Sequence, residues 1–243
     1  MTKYQCIECG KKVQKLYQEY KTGTIKMSHC EFCKEIADKY IEYDPVIIFL
    51  DALLLQRQAY RHILINTKFD SHWKLALLLC MCDAFIKLVI QRTALASQNS
   101  DSEPFNYVFI GLELYLNFIV AATELIMLLV SVLTTDALKN LWQHRNLKSM
   151  STHQITKAVI IANMWHILAI PALLWGQVYS NLYLWLSHGF VCISTFQALR
   201  VVTQEDNHFW VAVCVGVGFA AQMLVSGFID DLFVSGYLDK SMW

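Results

Sequence analysis

Four cysteines near the N-terminus carry the spacing of a metal site. Cys6-x2-Cys9 is followed, after twenty residues (10 through 29), by Cys30-x2-Cys33. Zinc prefers four soft ligands in a tetrahedron, and each C-x2-C turn sets two sulfurs on one side of an ion. Gly10 follows the first pair, where a tight knuckle benefits from a residue without a Cβ. A four-sulfur site has no open coordination position, so its expected role is structural rather than catalytic. The site would be negatively charged, and Lys11, Lys12 and Lys34 lie beside the ligands to offset it. The competing readings are two disulfides, four free thiols, or His29 standing in for one cysteine. A segment of about 40 residues cannot hold a core alone, and metal binding supplies the folding energy it lacks.

A second set of residues is polar where its surroundings are apolar. Glu113 and Glu124 are eleven positions apart with Asn117 between them, on nearly one helix face. They form a stripe about 16 Å long at about 1.5 Å per residue. Two readings stand: a path for a lipid headgroup or sterol hydroxyl, or hydrogen bonds that glue neighbouring helices. Asp83 and Lys87, four apart, are expected to pair with each other. Trp165, His166, Trp175 and Gln177 flank Pro171, with His166 read as a satisfied bundle residue. Cys80, Cys82, Cys192 and Cys214 sit in apolar runs and are expected to act as small hydrophobes. There is no G-x-S-x-G, P-loop or H-E-x-x-H pattern, so no enzyme activity is expected.

These residues need elements to hold them. The chain is 56% hydrophobic and 16% charged, against roughly 45–50% and about 25% in soluble domains. Residues 1–44 are polar, and long apolar runs dominate the rest. Asp44-Pro45 opens a helix, VIIFLDALLLQRQAYRHILIN, broken in character by Asp51, Arg57, Arg61 and His62. The helix is expected to be amphipathic, lying on the membrane or packed under the ribbon, with a true span as the third option. Five stretches then have the length a bilayer needs, near 73–91, 107–133, 158–179, 182–203 and 209–229. Pro171 should kink the third. Ala212, Gly216 and Ala220 should let the fifth approach another helix closely. The expected architecture is an α-helical multi-pass membrane protein of about five spans with a small N-terminal zinc ribbon. Its parts are the ribbon at 1–40, the amphipathic helix at 41–70 and the bundle at 71–243.

The start MTKYQCIECGKK is not that of a secretory signal, so a cytosolic N-terminus is expected. Residues 1–72 hold eleven Lys or Arg, the 92–106 loop only Arg92, and the 134–157 loop Lys139, Arg145, Lys148 and Lys157. That alternation places the N-terminus and the 134–157 loop in the cytosol and, with five spans, the C-terminus in the lumen. The formal net charge is zero, and Glu8, Glu19, Glu31 and Glu35 interrupt any basic face on the ribbon, so nucleic acid is not an expected partner.

The ribbon followed by DKYIEYDPVIIFLDALLLQRQAYRHILIN at 38–66, and then by a membrane region, resembles the ARV family of lipid and sterol homeostasis proteins. YIEYDPVI and QAYRHIL are the specific part, and FQALRV at 196–201 is a weaker echo. The resemblance implies residence in the endoplasmic-reticulum membrane, with the Golgi membrane as a further location. It also implies a role in sterol distribution, with effects on sphingolipids and on glycosylphosphatidylinositol (GPI) assembly. The implied partners are membrane lipids and sterols; a scaffold for GPI- or lipid-synthesising membrane proteins is the alternative.

Overall fold

A computed structural model describes residues 4–20, 25–68, 71–98, 107–142, 152–175, 180–203 and 208–240. Gln177, Arg145, Lys148 and the polar residues 204–207 fall outside them. Two small hairpins open the chain: β1 (Tyr4–Gln5) with β2 (Lys12–Val13), and β3 (Tyr17–Glu19) with β4 (Ile25–Met27). Beyond these hairpins and an isolated bridge between His29 and Ile36, the regular structure among the described residues is helical.

The expected single helix after Asp44 is three pieces. The chain forms α1 (Pro45–Leu53), α2 (Arg57–Arg61) and one π turn (His62–Asn66). Leu55 makes the break at φ +60. Leu54 N–H bonds to Leu50 O and Gln56 N–H to Asp51 O, closing the helix end in the left-handed manner usually given to glycine. Asp51, which interrupts the apolar run, is satisfied locally: the Tyr40 hydroxyl donates to it at 2.7 Å and the Gln56 amide at 3.3 Å.

The long helices are α3 (His72–Gln98), α4 (Tyr107–Trp142), α5 (Thr152–Ala162), α6 (Trp165–Trp175), α7 (Ser180–Thr203) and α8 (His208–Lys240). They cover the five apolar stretches, with the third divided between α5 and α6. The division is at Asn163–Met164, whereas Pro171, the expected kink, lies inside α6. Asn163 is the cause. Its amide donates to Val159 O at 2.8 Å, and its backbone N–H is shared between Val159 O and Ile160 O. A side chain that competes for the ladder loosens the next turn.

Among the described residues, Ile110–Lys139 and His208–Ile229 are long and apolar enough to cross a bilayer, with mean hydropathy 2.2 and 1.9. Only 33% and 22% of these stretches is buried within the protein, so their apolar surface faces outward, unlike a soluble core helix. The two helices pack on each other through Gly218, where an added Cβ would lie 3.0 Å from Leu128 Cδ1 and 3.3 Å from Val132 Cγ2. The expected Ala212-Gly216-Ala220 stripe faces away from the bundle: all three are exposed. One cluster of buried residues joins the ribbon to the bundle, from Ile7 and Tyr40 through Tyr60 and Leu64 to Ala158, Ala198 and Val215.

Replacing Gly218 with valine should therefore overpack the α4–α8 contact and cost about 1–3 kcal/mol. Gly216→Val, with nothing within 4 Å, should leave stability close to that of the parent. Thermal unfolding of the two variants in detergent compares them directly.

Candidate metal centre

Cys6 and Cys30 begin two knuckles of the same design. Cys6 N–H bonds to Lys11 O at 2.9 Å and Gly10 N–H to Cys6 O at 3.0 Å; Cys30 N–H bonds to Glu35 O at 2.8 Å and Lys34 N–H to Cys30 O at 3.0 Å. Gly10 and Lys34 occupy equivalent places and both have positive φ, +76 and +65. At position 10 the conformation comes with crowding, because a Cβ there would lie 3.1 Å from Arg61 Nη2.

The four sulfurs lie within 4.8 Å of one another. Cys6 and Cys33 are 3.7 Å apart, Cys9 and Cys30 3.6 Å. Sulfurs about 2.3 Å from a central zinc ion would be about 3.8 Å apart in a tetrahedron. The donor set therefore fits a tetrahedral soft metal, and all four thiols are free rather than paired in disulfides. His29 turns away from it, with Nδ1 3.1 Å from Lys34 O.

The thiols differ. Burial pushes Cys6 up to about 12, although N–H groups of Cys9 and Glu8 work against it, and burial also raises Cys9. At Cys30 burial is outweighed by the N–H groups of Cys33 and Phe32 and by the neighbouring thiols, which bring it down to about 7.

Arg61, on α2, braces the first knuckle: its Nη1 donates to Ile7 O and Glu8 O, both at 2.7 Å. It brings a guanidinium against the metal loop from 53 and 54 residues away in sequence, while Lys11, close to the ligands, lies over the Phe32 ring at 5.2 Å. Arg61 stands out in sequence as a charge interrupting an apolar helix and as part of QAYRHIL, and nothing in its spacing from the cysteines points to it.

Beneath the ribbon lies a polar clamp that spacing rules do not find. Asp38 is fully buried. Its Oδ1 accepts from Tyr40 N–H at 3.1 Å, and its Oδ2 accepts from Asn66 Nδ2 at 2.7 Å and His62 Nδ1 at 2.8 Å. Because a carboxylate only accepts, His62 carries its proton on Nδ1 and turns Nε2 to the Thr67 hydroxyl, 3.0 Å away. Asn66 also exchanges two 2.9 Å bonds with the Gln5 backbone. Further along, Lys157 on α5 donates to Ile63 O at 2.7 Å and Thr67 O at 3.2 Å, and the Tyr60 and Ser194 hydroxyls share a buried bond of 2.7 Å.

The polar residues of α4 face α3. Glu124 takes Lys87 at 2.7 Å, Asn117 exchanges amide bonds with Gln91 at 2.9 and 3.3 Å, and Glu113 takes Arg92 at 2.7 Å. Asp83 and Lys87 pair at 3.2 Å, and His166 stands 3.5 Å from the other oxygen of Asp83. Trp165 stacks on Phe190 at 4.1 Å.

The profile of the Arv1-like family matches residues 5–199. Protein ARV1 of Bos taurus is 35% identical over 201 residues, covering 82% of this chain and 69% of the relative. Protein ARV1 of Homo sapiens is 35% identical over 220 residues, covering 88% and 78%. Protein ARV1 of Candida albicans is 60% identical over a shorter 62 residues. No solved structure matches.

Two outcomes are expected. Metal ligation needs thiolates, so a thiol at about 12 gives up its proton on binding; metal affinity should rise with pH, with at least one proton released per ion by calorimetry in two buffers. Asp38→Ala leaves the Tyr40 N–H and the His62 ring N–H without their acceptor and should destabilise the metal-loaded protein by about 1–3 kcal/mol, measured by thermal unfolding, with the metal stoichiometry retained.

Proposed function

The chain belongs to the Arv1-like family, and from that membership we propose that it acts in sterol and lipid homeostasis as a lipid-handling protein of the endoplasmic-reticulum membrane. In this reading α3, α4, α5–α6, α7 and α8 are five spans, and the N-terminus is cytosolic. The four cysteines hold a structural zinc ion: they would keep the two knuckles together, and the ion contributes folding energy and no chemistry. The bundle binds and redistributes sterol, and effects on sphingolipids and GPI assembly follow from the altered membrane. It is not an enzyme.

The observation that carries the reading is the position of α1. Val46, Leu50 and Leu54 are 67%, 51% and 70% exposed, although they belong to the segment that ties the ribbon to the bundle. An apolar face kept open beside a bundle with apolar outer walls belongs in a leaflet. The ribbon then stands at the membrane surface on an embedded arm. Within the bundle, Asn117 is the group of the Glu113–Asn117–Glu124 stripe suited to a sterol hydroxyl, because a neutral amide pair exchanges partners at lower cost than the flanking ion pairs.

A second reading, an adaptor for a lipid- or GPI-synthesising complex, is favoured by Phe32, which is 64% exposed on the ribbon. The two separate in one experiment. Zinc-loaded protein in nanodiscs should show saturable crosslinking to a photoactivatable sterol, reduced severalfold by Asn117→Leu. Absence of saturable sterol or lipid labelling, with partners recovered only through an intact Phe32, would select the adaptor.

A further inference from the structure

An open cleft of about 510 Å³ lies between the C-terminal half of α4 and the start of α8. Leu138, Leu141 and Val213 form apolar walls, and Thr135, Lys139 and Trp210 supply the polar groups. The volume is that of a ligand site, about 300–1,000 Å³.

The side chains here are inverted relative to a surface helix. Lys139 is only 6% exposed, whereas its neighbours Leu138 and Leu141 are 63% and 74% exposed. The lysine is folded into the lining of the cleft, while the leucines that wall it stay open to the outside. Lys139 also ends the apolar stretch Ile110–Lys139, the level at which Lys and Trp meet lipid headgroups. A small adjoining void of about 20 Å³ is lined by Asp136 and Thr203 together with Lys139. An ammonium has three donors, so Lys139 can serve a protein partner and a ligand oxygen together.

We propose that this cleft holds an anionic glycerophospholipid of the cytosolic leaflet, its phosphate on Lys139 and one acyl chain between α4 and α8. The proposal rests on the reading of the chain as a lipid-handling membrane protein. It adds a phospholipid seat separate from the α3–α4 stripe suggested for sterol.

The test uses the full zinc-loaded chain in phosphatidylcholine nanodiscs with a phosphatidic acid probe carrying a diazirine on its acyl chain. Labelling should map to α4 near Leu138 and Leu141 and to α8 near Val213. Lys139→Gln should lower it about tenfold, and Lys139→Arg should restore it. Val213→Trp, which fills the apolar end without touching the charge, should lower it as well, and it decides the matter should Lys139→Gln fail to fold. Labelling on other helices, labelling indifferent to both variants, or displacement by excess cholesterol would each overturn the assignment. Sterol crosslinking at the α3–α4 stripe is read in the same sample, so loss of this seat is distinguishable from loss of lipid handling altogether.

Discussion

A carboxylate removed from water must be surrounded by donors, and Asp38 is the point where this molecule meets that demand. Three donors converge on it from Tyr40, His62 and Asn66. All three are in place together only when the ribbon, the 3-10 turn at Lys39–Ile41 and the π turn are formed. Sulfurs close the two knuckles, yet the knuckles alone do not say where the ribbon sits. The carboxylate does, helped by Arg61 on the first knuckle and by the reciprocal Asn66–Gln5 bonds. A buried network of this kind specifies one arrangement because any partial version strands a donor or a charge.

The bundle meets the same constraint in a more apolar setting. Partners step forward on α3, through Lys87, Gln91 and Arg92, as they step back on α4, through Glu124, Asn117 and Glu113. That ordering fixes the two helices as antiparallel and fixes their register, since a shift of one turn would part the ionised groups from their partners. The same side chains that suggest a lipid path are thus also the pins of the α3–α4 seam.

Much of this was legible in the sequence. The cysteine spacing located all four sulfurs, because two short C-x2-C turns leave little freedom. Apolar runs located the helices, although among the described residues only Ile110–Lys139 and His208–Ile229 are long and apolar enough to cross a bilayer. What escaped depended on single side chains acting against their class. Leu55 takes a left-handed conformation that composition assigns to glycine, and so one expected helix became α1, α2 and a π turn. Asn163 outcompeted Pro171 as the site of interruption by capturing a carbonyl. Gly218 took the close approach expected of Gly216, because helix phase in the last span is set by what α4 presents, Leu128 and Val132, which no window on α8 contains. Asp38 and His62 are 24 positions apart in sequence, and only the folded arm brings them together.

The bond between Tyr60 and Ser194 carries a consequence for height. Ser194 lies nine residues before the end of α7 at Thr203, a depth of about 14 Å at about 1.5 Å per residue. The arm that bears the ribbon is therefore rooted well below the rim of the bundle, with Lys157 gripping it from a second side. A domain held in this way has no tether length to explore. It presents its outer surface at one fixed elevation and one angle, more like the head of a driven nail than a flag on a line.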